Sequence, residues 1–241
     1  MNIGAIIPAR YDSSRFPGKP LARIAGMSMI ERVYQKVRRS EKFDQIIVAT
    51  DNKEIAAEVK RFGGNFSMTS PDCPSGSDRV WEVLEKSGLD AAINIQGDEP
   101  LISEKLISEI YTGLEERRAS VVTAAYFNNS FNEFNSVNTV KTIIDKNGMA
   151  LYFSRASIPS QDLSGFEGFF HHIGIYGYTR EALSSFIHFP LSELELKERL
   201  EQLRFLDNGI DIYVLKTDYR SVSVDVPEDI GKIEKILRII K

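Results

Sequence analysis

Cysteine is almost missing from this chain. Cys73 stands alone among 241 residues, so no internal disulfide forms and a Cys-rich zinc site is excluded. Histidine is nearly as scarce, with His171, His172 and His188 too few for a His-built metal centre. There is no basic excess either. Thirty Lys and Arg against 34 Asp and Glu leave a formal charge of −4, which argues against a general nucleic-acid-binding surface. No run of about 18 apolar residues occurs, so no membrane span is expected. Residues 1–10, MNIGAIIPAR, read as a strand with an early arginine rather than a secretory leader, and a cytoplasmic protein is expected. The remaining composition, 42% hydrophobic and 27% charged, is ordinary for a globular protein, and 241 residues suffice for one to two domains with a core of real size. A local basic pocket for a small phosphorylated ligand stays open.

The first half alternates strand and helix patterns. Ile3–Pro8, Gln45–Thr50 and Ala91–Gln96 are short apolar runs of the buried-strand type. Between them, Ser28–Ser40 places Met29, Ile30, Val33, Tyr34 and Val37 on one helical face, with Ser28 and Glu31 as a capping box. Asp51 is expected to cap a helix carrying Ile55, Val59 and Phe62, stopped by Gly63-Gly64. Ser103 opens another, with Leu106, Ile107, Ile110, Tyr111 and Leu114. Such alternation predicts crossover units and a mainly parallel sheet.

The later half changes character. Val140–Asp145 and Met149–Ser154 flank Lys146-Asn147-Gly148, a hairpin signal. Gly174–Thr179 is a further strand, and a helix from Ser192, boxed by Glu195, carries Leu196, Leu200 and Leu203. Ile210–Leu215 and Val222–Asp225 read as returning strands, and Pro227 starts a last helix with Ile230, Ile233, Leu237 and Ile240. No repeat or linker divides the halves. One mixed-sheet domain with an antiparallel insertion is expected.

Three segments carry chemistry. Residues 8–20, PARYDSSRFPGKP, follow the first strand, where open α/β sheets place their ligands. Arg10, Arg15 and Lys19 are three cations within ten residues, suited to phosphate oxygens; a solvated basic loop is the alternative. Neither a P-loop nor a G-x-G-x-x-G stretch is present, so ATPase and dinucleotide readings lose support. Residues 94–100, NIQGDEP, end a buried strand, where Asp98 suits Mg²⁺ and the Gln96 amide suits a base or sugar; a plain turn is the alternative. Asp225 is a second metal candidate, or simply part of a helix entry. Ser75 and Gly76, at a helix start, suit close approach to a nucleotide, although many loops look alike.

Together these segments resemble the 3-deoxy-manno-octulosonate (Kdo) cytidylyltransferase family. The likeness is carried by IPARY at 7–11, RFPGKPL at 15–21, VATD at 48–51, NIQGDEP at 94–100, ALYFSR at 150–155, HIGIYGY at 172–178, LEQLR at 200–204 and VDVPED at 224–229. It implies a nucleotide-diphospho-sugar transferase-like α/β fold: a mixed sheet flanked by helices, with an antiparallel sugar-site and dimerisation portion. It also implies a single domain over 1–241, mainly nucleotide-binding over 1–127 and mainly sugar-binding and dimerising over 128–220, then a returning strand and final helix over 221–241. The implied reaction joins CTP and Kdo into CMP-Kdo and pyrophosphate, with Mg²⁺, in a homodimer serving lipopolysaccharide synthesis. CTP contacts fall on Arg10, Arg15, Lys19, Ser75, Gly76 and Gln96, and metal contacts on Asp98 and Asp225. Asp98, Asp225, Arg10 and Lys19 form the catalytic set. Sugar contacts fall on Arg155, His172, Tyr176, Glu201 and Gln202. His171 and Thr179 depart from residues often basic in the family, which keeps an 8-amino-Kdo substrate as an alternative. A CMP-sialic acid synthetase, a glycosyltransferase and a non-catalytic CTP-binding protein are the other readings weighed.

Overall fold

The computed structural model of the protein describes residues 1–13, 15–116, 118–161 and 165–239; Ile240 lies outside them. The chain divides into two compact units, Met1–Tyr111 with Ser221–Lys241, and Thr112–Arg220.

In the first unit, β1 (Ile3–Ala9) is buried almost throughout, as a strand covered on both faces should be. A single 3-10 turn at Lys19–Leu21 leads into a small hairpin of β2 (Arg23–Ile24) and β3 (Met27–Ser28). Its two-residue turn holds Ala25 at φ 44° and Gly26 at φ 87°, paired positive angles that match strand twist and favour glycine. Then follow α1 (Met29–Arg39), β4 (Ile46–Thr50), α2 (Lys53–Arg61), β5 (Asn65–Met68), α3 (Gly76–Lys86), β6 (Ala91–Asn94) and α4 (Glu104–Glu115), whose last four residues count with the second unit. The strand order is β6-β1-β4-β5, every pair parallel. The α1 face expected from periodicity is the buried one, Met29, Ile30, Val33, Tyr34 and Val37.

The cap of α2 is not Asp51. Asn52 takes that place, its side-chain oxygen accepting from the amides of Glu54 and Ile55 at 2.8 and 3.1 Å, because Asp51 pairs instead with the wholly buried Arg79 at 2.7 Å. The predicted returning strand at Val222–Asp225 does not form either. Its single ladder-like bond is Val224 N to Asp98 O at 3.0 Å, and the Val224 carbonyl is taken by the Lys19 ammonium at 3.0 Å. The last helix begins at Asp229 rather than Pro227. Val224 and Ile233 are buried with Ile24 and Met29, and this small core fastens the C-terminal segment to the unit.

The second unit comprises β7 (Val121–Asn128), α5 (Phe131–Phe134), β8 (Lys141–Ile144), β9 (Ala150–Ser154), β10 (Phe169–Thr179), α6 (Arg180–His188), α7 (Glu193–Glu198), α8 (Leu203–Asp207) and β11 (Ile212–Lys216). β11 runs parallel to β7, whereas β7 with β10, β10 with β8 and β8 with β9 are antiparallel. The β8–β9 hairpin is closed by Asp145, which accepts from the amides of Asn147 and Met149 at 2.8 Å each, and by Gly148 at φ 87°. The helix expected from Ser192 is broken. Arg199 adopts a left-handed φ of 55° between α7 and α8. Ser192 caps through the Glu195 amide, but the Glu195 carboxylate does not return to close a box. It lies instead on Arg204 at 2.5 and 2.7 Å, while Leu196 is 60% exposed.

Candidate functional site

A cleft of about 410 Å³ opens at the carboxyl ends of β1 and β6, lined by Arg10, Arg15, Lys19, Gly76, Gln96 and Asp98, with Asp12, Ser13 and Gly97 among the remaining wall. The loop after β1 is tied to itself before it meets any ligand. Gly18 donates its amide to the Tyr11 carbonyl at 2.9 Å and sits at φ 68°, turning the chain so that the 3-10 turn starts at Lys19. Gly97 is needed for close approach, since a Cβ there would stand 2.9 Å from the Pro8 carbonyl oxygen.

The cations and carboxylates meet in pairs. Lys19 Nζ donates to Asp98 Oδ2 at 2.6 Å, with only 15% of the lysine side chain exposed. Arg15 Nη2 donates to Asp225 Oδ1 at 2.9 Å in a more open setting. The Val224–Asp98 backbone bond thus brings the two carboxylate-bearing segments side by side. Among the described residues no three His, Cys, Asp or Glu side chains gather into a metal cluster. Asp98 and Asp225 carry oxygen donors of the kind Mg²⁺ takes, and each is paired here with a cationic side chain. Glu99 is nearly buried, one of its carboxylate oxygens has no hydrogen-bond partner, and burial pushes its pKa up to about 7 against a Ser221 hydrogen bond.

Arg10 donates to the Cys73 carbonyl, which joins the β1 loop to the entry of α3. There Ser75 and Asp78 form a reciprocal capping box: Ser75 Oγ accepts from the amides of Ser77 and Asp78, and Asp78 accepts from the Ser75 amide at 3.1 Å. The Ser75 hydroxyl is committed to this cap, leaving Gly76 to line the cleft. Below, Arg79 spans Asp51 and Thr69 and locks α3 against β4.

In the second unit another group of polar side chains is half-enclosed. The His172 ring packs against Phe153 and Tyr176, with Nε2 3.1 Å from Thr123 Oγ1, and burial drives its pKa down to about 3, helped by His171. Tyr176 is 5% exposed, and burial first, then Tyr178 and Glu201, raises its pKa well above the ordinary range. Thr123 opposes the Tyr176 shift through a side-chain hydrogen bond, while the Gln202 side-chain nitrogen is buried without a hydrogen bond. Such an orphaned polar atom is uncommon in proteins. Arg155 is held by carbonyls, Nε on Glu198 and Nη1 on Val137, at 3.1 and 3.0 Å.

The sequence profile of a family described as cytidylyltransferase matches residues 4–212. A protein from Syntrophotalea carbinolica named 3-deoxy-manno-octulosonate cytidylyltransferase is 44% identical over 250 residues, covering 99% of both chains. This chain belongs to that family. A solved CMP:2-keto-3-deoxy-manno-octonic acid synthetase in complex with CTP superposes with a TM-score of 0.95 at 35% identity, covering 100% of each chain. A 4-diphosphocytidyl-2C-methyl-D-erythritol synthase from Anaerococcus prevotii, 18% identical with a TM-score of 0.64 over 98% of both chains, shares the fold alone.

For this cytidylyltransferase, the structure gathers Arg10, Arg15, Lys19, Gly76, Gln96 and Asp98 around one cleft, and pairs Asp225 with Arg15. The Tyr176 and His172 rings meet at a tilt with centroids 5.4 Å apart, while Arg155 is turned toward backbone acceptors. The two departures from the family pattern have structural partners. His171 Nδ1 lies 2.6 Å from the Tyr126 hydroxyl, and Thr179 caps α6 through the Ala182 amide. Reading the sequence missed Arg79, Lys141 and Glu198, whose partners are distant in sequence or lie on the backbone. The one local signal was Ser75 and Asp78 at capping-box spacing.

Proposed function

We propose that this chain is a cytidylyltransferase that joins CTP to Kdo, giving CMP-Kdo and pyrophosphate for lipopolysaccharide synthesis. The C2 hydroxyl oxygen of the sugar forms a bond to the α-phosphorus, the bond from that phosphorus to the oxygen bridging to the β-phosphate breaks to release pyrophosphate, and the hydroxyl proton passes to water. The observation that carries this reading is the cleft in which Arg10, Arg15 and Lys19 converge beside Asp98 and Gln96. Three cations on one loop neutralise a triphosphate and the departing pyrophosphate, and phosphoryl chemistry of this kind is served mainly by positioning and charge. Gly76, at the amino end of α3, offers its backbone for close approach of the nucleotide, with Ser75 fixing that helix end, and Gln96 reads the base or ribose.

Asp98 and Asp225 would hold Mg²⁺, which when bound neutralises phosphate charge and lowers the cost of ionising an attacking hydroxyl. Arg155 supplies a cation for the sugar carboxylate. Tyr176, His172, Glu201 and Gln202 face the sugar hydroxyls, with His172 neutral and so able to serve as donor or acceptor. The enzyme works in the cytoplasm as a homodimer.

The test is pyrophosphate release from CTP with Kdo, 8-amino-Kdo or sialic acid, with and without Mg²⁺. Release with Kdo at the highest kcat/KM is the expected result. Preference for the amino sugar would replace the substrate, and CTP binding without release in any arm would replace the enzyme with a binding protein.

A further inference from the structure

Lys141 is a wholly buried lysine at the first position of β8. A buried ammonium is costly unless every donor finds an acceptor. This one does: Nζ donates to the carbonyls of Ser136, Thr139 and Arg155 at 2.9, 2.9 and 2.6 Å. Three donors on one atom draw three separate carbonyls to a point, which no apolar side chain can do. Burial lowers the Lys141 pKa, Glu198 opposes that shift, and Arg155 adds to it.

Glu198 works on the same residue from the other side. Its Oε2 accepts the Arg155 amide at 2.9 Å, its Oε1 accepts the Ser154 hydroxyl at 2.6 Å, and its carbonyl accepts Arg155 Nε at 3.1 Å. Arg155 is therefore gripped at its amide, its carbonyl and its guanidinium by two side chains and two backbone carbonyls. Glu198 is also the last residue of α7, directly before the left-handed Arg199 that turns the chain toward Glu201 and Gln202. The same β8 end guides a neighbouring strand, since the His172 amide donates to the Val140 carbonyl at 2.9 Å.

We propose that Lys141 and Glu198 are positioning residues for the sugar acid, setting Arg155 and the 201–202 segment without touching the nucleotide cleft. The proposal rests on the reading of Arg155 as a sugar contact.

Steady-state kinetics on the full chain test it with Lys141→Met, Glu198→Gln and Arg155→Met, each accompanied by calorimetric CTP binding and a thermal midpoint. The Lys141 and Glu198 variants should raise the KM for Kdo about tenfold or more, while the KM and affinity for CTP stay within about twofold. If Lys141→Met does not fold, Glu198→Gln, which keeps the side-chain shape, carries the test. An unchanged Kdo KM in the folded variants overturns the proposal, as does a parallel rise for both substrates, which marks general loosening. Arg155→Met separates the two layers. If it raises the Kdo KM while the other two variants do not, positioning alone is wrong. If it leaves the Kdo KM unchanged, the sugar-contact reading falls and the proposal with it.

Discussion

At the scale of single residues, Lys19 and Asp98 neutralise one another across 2.6 Å, so this lysine meets a nucleotide already paired with a carboxylate. In the proposed reaction a triphosphate would replace the carboxylate on Lys19, and the displaced Asp98 would then need a cation of its own. Asp98→Asn should lower turnover by about 10²-fold or more, yet tighten the binding of metal-free CTP, because the lysine is released. Calorimetry in the presence of a chelator checks this; weaker metal-free binding in the variant would refute it. Arg79 makes a different prediction. It is fully buried against Asp51 and Thr69, so Arg79→Met leaves a carboxylate without its counter-charge. A loss of about 3 kcal/mol in urea unfolding is expected, and a loss under about 1 kcal/mol would show that Asp51 is solvated after all.

At the scale of elements, helix faces and strand interiors were legible because they depend on local periodicity. The α1 stripe and the β8–β9 hairpin needed nothing from elsewhere in the chain. The errors share a cause: a side chain with two possible partners chose the distant one. Asp51 had helix α2 beside it and took Arg79, 28 residues away; Glu195 had its own cap and took Arg204. Val222–Asp225 had strand-like residues, but its carbonyl went to a lysine 205 positions earlier. In the cleft, residue identities were readable from the β1 loop and the 94–100 turn, whereas their pairing and the support from Arg79, Lys141 and Glu198 were not. The corrected cap gives a direct comparison. Asn52→Ala should cost about 1 kcal/mol of stability through two lost amide bonds to one side-chain oxygen, measured by denaturant midpoint. No change would return the cap to another residue.

At the scale of the whole molecule, protonation links one enclosed ring to global stability. The His172 pKa falls to about 3 from an ordinary 6.5, so between those values the unfolded chain binds a proton that the folded chain refuses. Stability must then decline as pH falls through that window, by up to about 1.4 kcal/mol per pH unit from this group. His172→Gln should flatten the dependence of unfolding free energy on pH in that range, and superimposable profiles would exclude the assignment. The connectivity of the first unit has a consequence for biosynthesis. Its small core closes on Val224 and Ile233, and Lys19 finds its second acceptor at Val224, yet all of residues 112–220 are translated in between. A ribosome must therefore finish the second unit before the first is complete, and Ile24 and Met29 wait uncovered on the nascent chain meanwhile. A chain released early at residue 220 carries all three cleft cations, Arg10, Arg15 and Lys19, but lacks Asp225, Val224 and Ile233. Early termination thus removes half of the buried quartet formed by Ile24, Met29, Val224 and Ile233.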